Sequence, residues 1–423
     1  MRESIHQFQE FLRRSPGCYH AVESIRQRME NAGFARLEET EAWTLEPGCG
    51  YYVIRGGSSI LAFRLPEQAP RRFRFMAAHS DSPGFKLKPG KALGADGLTR
   101  LNVEKYGGAI VSSWLDRPLS IAGRVLLREG ARIRAELLYP DRDLALIPSL
   151  AIHLSGGEKE FSLQNQMLPV VSAGERELVL EDILIECGID SSAVLGMDLF
   201  LTCRAEPTLW GAQQEFFSAP RLDDLACAYG AMEGFLMAEI GEDALFHCVF
   251  DNEEVGSESK QGAGSTFLRD VIDRVCCAYG WSAEERGACL ARSFLVSADN
   301  AHAAHPGYLG VSDPVNRPQM NGGIVLKHQA GQKYTTDGYS AAVIRNLCQS
   351  RGIPMQEYTN HSDQRGGSTL GNISNTQVSL NAADIGLAQL AMHSAYETMG
   401  AKDMAHLIAF SKAFYEEPIP PMG

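Results

Sequence analysis

Nowhere does this 423-residue chain hold the roughly 20 consecutive apolar residues that a helix needs to cross a bilayer. No membrane partner is expected. The first residues also lack the apolar core of a secretion signal. Met1 to Ser15 reads instead as an amphipathic helix with Ile5, Phe8, Phe11 and Leu12 on one face and Glu3 and Glu10 among them. Basic residues are in deficit, 39 Lys and Arg against 52 Asp and Glu, a net charge of -13. Nucleic-acid binding needs clustered cations, so that class is set aside. Ten cysteines are present without one CxxC pair, and Cys276 and Cys277 are adjacent, so neither a disulfide framework nor a thiolate zinc site shows. Buried, reduced thiols in a cytoplasmic protein are expected. Gly262-Ala263-Gly264-Ser265-Thr266 lacks the lysine of a phosphate loop and reads as a turn before a helix.

What is present is ordinary globular protein, 44% hydrophobic and 22% charged. The length suits about two to three domains with a sizeable core. Residues 1–92 and 207–423 alternate strand runs with amphipathic helices, such as Phe267 to Cys277 and Asp403 to Phe414. That alternation predicts an α/β layer fold. Between them the pattern turns β: Leu119 to Leu127 alternates, Glu129-Gly130 turns, Ile133 to Leu138 returns, and Met197 to Cys203 forms a further strand. Residues 93–206 are therefore expected to form an inserted, mostly β second domain.

Five places put a metal-ligand residue beside an apolar or helical run. Phe73 to Ala78 leads into His79-Ser80-Asp81, and Ala244 to Phe250 into Asp251-Asn252-Glu253-Glu254. Phe294 to Ser297 leads into Asp299, and Ile385 to Met392 into His393; Asp223 follows Pro220 and opens a helical pattern. In open α/β sheets, ligands bind beyond the carboxyl ends of the strands. Adjacent glutamates there point different ways, so one can hold a metal and the other a water. Two imidazoles and three carboxylates, with Asp81 and Glu253 to spare, form a mixed nitrogen and oxygen set suited to zinc, manganese or cobalt. Arg365-Gly366-Gly367-Ser368 reads either as a tight turn or as a loop whose backbone approaches substrate.

The chain resembles the aspartyl aminopeptidase family of dinuclear zinc exopeptidases. The segments that carry the likeness are Ala78 to Pro83, Tyr106-Gly107-Gly108, Ile147 to Leu154, Arg221 to Asp224, Asp251 to Ser257, Ser297 to His302, Gly366 to Thr369 and Ala391 to Ser394. They run in family order along nearly the whole chain. The resemblance implies an α/β/α zinc-exopeptidase domain carrying an inserted β-rich domain for dimerisation and gating. It implies one metal on His79, Asp223 and Asp299 and a second on Asp223, Glu254 and His393. Glu253 would be the general base, and Asp81 would orient His79. Substrate contacts are implied at His153, His302, Lys327 and Tyr334; Lys327 and the imidazoles are the cations on offer for an acidic side chain. Short peptides, preferably with an N-terminal Asp or Glu, would be the substrates. Relatives form tetrahedral dodecamers in which the residue matching His153 reaches a neighbour's active site.

Some positions depart from the family. Asp224 stands where relatives usually have asparagine, and Gly366 where some carry cysteine. Both put a strict acidic preference in doubt. A metallo-amidohydrolase or carboxypeptidase on the same scaffold, cleaving N-acyl or C-terminal groups, is the alternative.

Overall fold

The computed structural model describes residues 2–154, 160–364 and 366–422. Its frame is a 13-stranded mixed sheet. At the centre, strand Phe73–His79 lies between two parallel neighbours, Ala244–Phe250 and Phe294–Ala298. Asn381–Leu390 runs parallel beside the last of these. The two central strands Phe73–His79 and Ala244–Phe250 are buried along their whole length, which is why they read as mostly apolar runs, interrupted at Arg74 and His247, rather than as alternating ones. Side chains still alternate between faces. Phe75, Ala77 and Phe246 join helices Phe267–Ala278 and Ala283–Arg292 in one core. Met76, Ala78 and Val249 join Arg2–Arg14, Cys18–Asn31, Leu222–Met237, Gly338–Arg351 and Asp403–Glu416 in the other. The result is the expected α/β/α sandwich.

Ile324–His328 is antiparallel to Asn381–Leu390, pairing Lys327 with Asp384, and Met355–Thr359 is parallel beside it. The second unit is a five-stranded antiparallel sheet with a three-stranded one near it. The expected hairpin is there, Leu119–Glu129 paired with Arg132–Leu138, and Val194–Cys203 pairs on its other side. Strand Gly84–Leu87, placed by sequence in the first layer, pairs with Val103–Tyr106 and at Phe200 in this sheet. The second sheet thus begins at Gly84, before residue 93. Its short length and partial burial give it no signal of its own.

One further expectation needs correction. Asp223 does not open regular helix. Arg221 is left-handed at φ 59°, and Asp223 and Asp224 keep non-helical backbone angles across a cis peptide, so the regular turns start after them.

Candidate metal centre

The parallel strands deliver the site residues together at one edge of the sheet. His79 is the last residue of its strand, directly beside Phe250 in register. Beyond Phe250 the chain turns through Asn252, left-handed at φ 62°, into the single helical turn Glu253–Val255. Asparagine tolerates that conformation. The turn is fixed by Asp81, whose carboxylate accepts the backbone N–H groups of Glu253 (3.1 Å) and Glu254 (3.2 Å) and the Tyr106 hydroxyl (2.7 Å). Asp81 also faces His79: Nδ1 lies 3.1 Å from its carbonyl and 3.3 Å from its carboxylate. A ring held at Nδ1 turns Nε2 to the centre, where Asp223 Oδ1 is 3.8 Å away.

Asp299 is pinned by its N–H to the Ile385 carbonyl at 3.0 Å, and a Cβ on Gly386 would stand 2.1 Å from the Asp299 carbonyl, so that position admits only glycine. His393, left-handed at φ 69°, presents Nε2 at 3.4 Å from Asp223 Oδ2 and 3.5 Å from Glu254 Oε1. Its Nδ1 faces the Gly108 carbonyl at 3.3 Å. The Tyr106-Gly107-Gly108 segment is a cradle: a Cβ on Gly107 would press Glu254 at 3.0 Å, and one on Gly108 would press His393 at 3.0 Å.

These side chains form three groups, each with ligand atoms within 4.8 Å of one another: His79, Asp223, Asp224 and Asp299; His79, Glu253 and Glu254; and Asp223, Glu254 and His393. Asp223 belongs to two of them. Buried Asp223 Oδ1, Asp224 Oδ1 and Glu254 Oε1 have no hydrogen-bond partner among the described residues. Buried carboxylate oxygens seldom go unpartnered, and bound metal would satisfy them. The electrostatics agree. Burial lifts the Glu253 carboxyl to about 8, with Asp299, Asp81 and Asp223 adding repulsion. Burial opposes charge on His393, but its bond to Asp223 and the field of Glu254 outweigh that and raise it to about 10. A proton is being drawn where a metal cation belongs. The residues fit the cofactor.

Asp224 sits among the ligands, accepting the His79 backbone N–H at 3.2 Å. Burial, with Asp299 and Asp223 adding to it, holds its carboxyl well above the usual range.

Lys327, expected among the substrate contacts, lies against the Asp299 loop. It is 2% exposed, and its ammonium donates to the Asp299 carbonyl (2.7 Å) and the Asn300 carbonyl (3.2 Å), 3.7 Å from the Asp299 carboxylate. It braces the loop that carries a ligand. Tyr334 is 5% exposed, its ring 5.1 Å from that ammonium, in an apolar cluster with Val325 and Tyr358. His302 is exposed and lines a cleft with Gly366 and Gly367; Arg365 lies outside the described residues. His153 joins none of the ligand groups and is exposed on a turn.

Glu397, which the sequence did not single out, ties two of these candidate ligands together. It is 2% exposed and accepts the backbone N–H groups of Asp223 (3.0 Å) and His393 (2.7 Å). Its only sequence signal is a position four residues after His393, inside a strand.

The family model for aminopeptidase I zinc metalloproteases (M18) matches residues 11–415. A probable M18 family aminopeptidase 2 from Clostridium novyi is 37% identical over 420 residues, 96% of this chain and 97% of that protein. A protein of the same description from Pseudomonas aeruginosa is 38% identical over 418 residues, 96% of each. Among solved structures, Ape4 in its complex with Nbr1 superposes with a TM-score of 0.94 at 32% identity, over 98% of this chain and 85% of that one. The S. cerevisiae mApe1 dodecamer gives 0.85 at 26%, over 97% and 95%.

Proposed function

The chain belongs to the aminopeptidase I zinc metalloprotease family, M18, and is a metallo-aminopeptidase; on that premise we propose a dinuclear centre that removes N-terminal residues, preferably acidic ones, from short peptides. The observation that carries the proposal is Asp223, whose two carboxylate oxygens face different imidazoles, His79 and His393, so that one side chain serves both halves of the cluster. His79, Asp223 and Asp299 would hold one ion and Asp223, Glu254 and His393 the other, zinc first, with cobalt or manganese as substitutes. Bound there, the metals supply Lewis acidity and a water of lowered pKa. Glu253, beside but outside both sets, accepts a proton from the attacking water and returns it to the departing amine. Asp81, Glu397 and the Gly107-Gly108 cradle hold the ligands in place.

A free α-amine distinguishes this function from the amidohydrolase and carboxypeptidase alternatives. The enzyme should cleave aminoacyl p-nitroanilides, aspartyl and glutamyl fastest, and leave their N-acetyl forms untouched. Equal or faster cleavage of the acetylated substrates would reverse the assignment.

The remainder concerns assembly. Residues 84–203 would form the dimerising and gating unit of a homo-oligomer, the tetrahedral dodecamer of the relatives being its form. Around His153, Leu150, Ile152 and Leu154 are 56%, 78% and 72% exposed. Exposed apolar side chains so close together suit a subunit contact. His153 would then serve a neighbour's metal centre. Mixed and reassembled His153→Ala and His393→Ala subunits should recover part of the activity that each lacks, with tagged co-purification to establish exchange. Exchange without recovery would remove His153 from the site.

A further inference from the structure

The cleft beside His302 has no Asp or Glu among its described lining residues, although the chain carries 52 acids against 39 Lys and Arg. Its titratable wall groups are Arg317, His302, His305, His361 and Tyr358. Asp363 reaches His361 only at 3.9 Å and is not part of the wall. An acid-free, basic cleft in a strongly acidic protein is complementary to an anion.

Arg317 is fixed at its root and free at its tip. The Asp313 carboxylate accepts the N–H groups of Val315 (3.0 Å) and Asn316 (2.7 Å) just before it. Just after it, the Pro318 carbonyl accepts the Ala304 N–H at 2.8 Å, and the Gln319 N–H donates to the Gln356 side chain at 2.8 Å. The guanidinium is exposed and makes no ion pair or hydrogen bond with any described residue. Arg317 and His302 line the same cleft, and the Ala304 N–H bond to the Pro318 carbonyl joins the two segments that carry them. The Lys327 ammonium already donates to the Asp299 and Asn300 carbonyls, whereas the Arg317 guanidinium has no partner among the described residues.

We propose that Arg317 pairs with a carboxylate of the bound peptide and so determines which peptides this enzyme prefers. This rests on the aminopeptidase function above. The planar guanidinium matches a carboxylate in two parallel hydrogen bonds. The carboxylate is either an acidic N-terminal side chain or the free C-terminus of a short peptide, and four substrates separate the two. Metal-loaded wild type, Arg317→Ala and Arg317→Lys are compared on aspartyl p-nitroanilide, leucyl p-nitroanilide, the dipeptide Leu-Gly and its C-terminal amide.

A charge-assisted contact made equally in ground and transition states appears in KM. Arg317→Ala should raise KM roughly 10- to 100-fold for the carboxylate substrate, with kcat retained. Arg317→Lys should recover part of the loss. A loss on aspartyl but not leucyl anilide assigns the side chain; a loss on Leu-Gly but not its amide assigns the C-terminus. An equal loss on all four substrates, or none on any, would overturn the role of Arg317. Melting temperature and metal content, unchanged for so exposed a residue, guard against misfolding. Failure of the underlying function would appear separately, as wild-type protein that cleaves N-acetylated substrates and not free amines.

Discussion

Glu253→Gln is expected to lower turnover by roughly a hundredfold or more while metal content and KM stay near those of the wild type. The amide keeps the shape of the side chain and its place on the turn that Asp81 holds through backbone N–H groups. What it removes is the capacity to accept a proton, and general-base assistance is typically worth 10²–10⁴ in rate. The neighbouring substitution should behave differently. Glu254 Oε1 is buried without a partner and lies 3.5 Å from His393 Nε2, so Glu254→Gln removes a ligand charge. Its expected phenotype is reduced occupancy of one ion, partly restored by excess metal. If Glu253→Gln lost metal and Glu254→Gln kept it, the roles of base and ligand would have to be exchanged. Steady-state kinetics with metal analysis of both variants decides this.

Exhaustive chelation should abolish activity and lower the melting temperature. Zinc, cobalt or manganese should restore both. The reason lies in the buried oxygens of Asp223, Asp224 and Glu254, which have no hydrogen-bond partner among the described residues. Ions that bind the folded state and not the unfolded one stabilise it by mass action. Chelated protein that retained full activity with no metal detectable would contradict the account.

Much of this centre could be read from the chain because parallel strands buried on both faces leave long apolar runs, and the residue after each run marks a strand end. His79, Glu253, Glu254 and Asp299 were legible in this way, as was the β character of the middle segment. Asp223 was legible as a candidate ligand but not in its backbone. Its local pattern resembles a helix start, and the non-helical angles at Asp223 and Asp224 depend on tertiary contacts such as the Glu397 bond to the Asp223 N–H. Glu397 had no motif, since an acid four residues after a histidine is common in any sequence. Lys327 shows a different limit. A lysine in a β-run offers a cation to any reader, and only the packing of Ile324–His328 against Asn381–Leu390 reveals that its ammonium faces inward. Strand Gly84–Leu87 was missed as part of the second sheet because four residues carry too little periodicity to assign a layer.

The central claim is a pair of metals sharing Asp223, and the most direct test counts them. Metal per protomer, measured on zinc-loaded wild type and on His393→Ala, should be two for the first and one for the second, with activity following the second ion. A single ion in fully active wild-type protein, or two ions retained by His393→Ala, would contradict it.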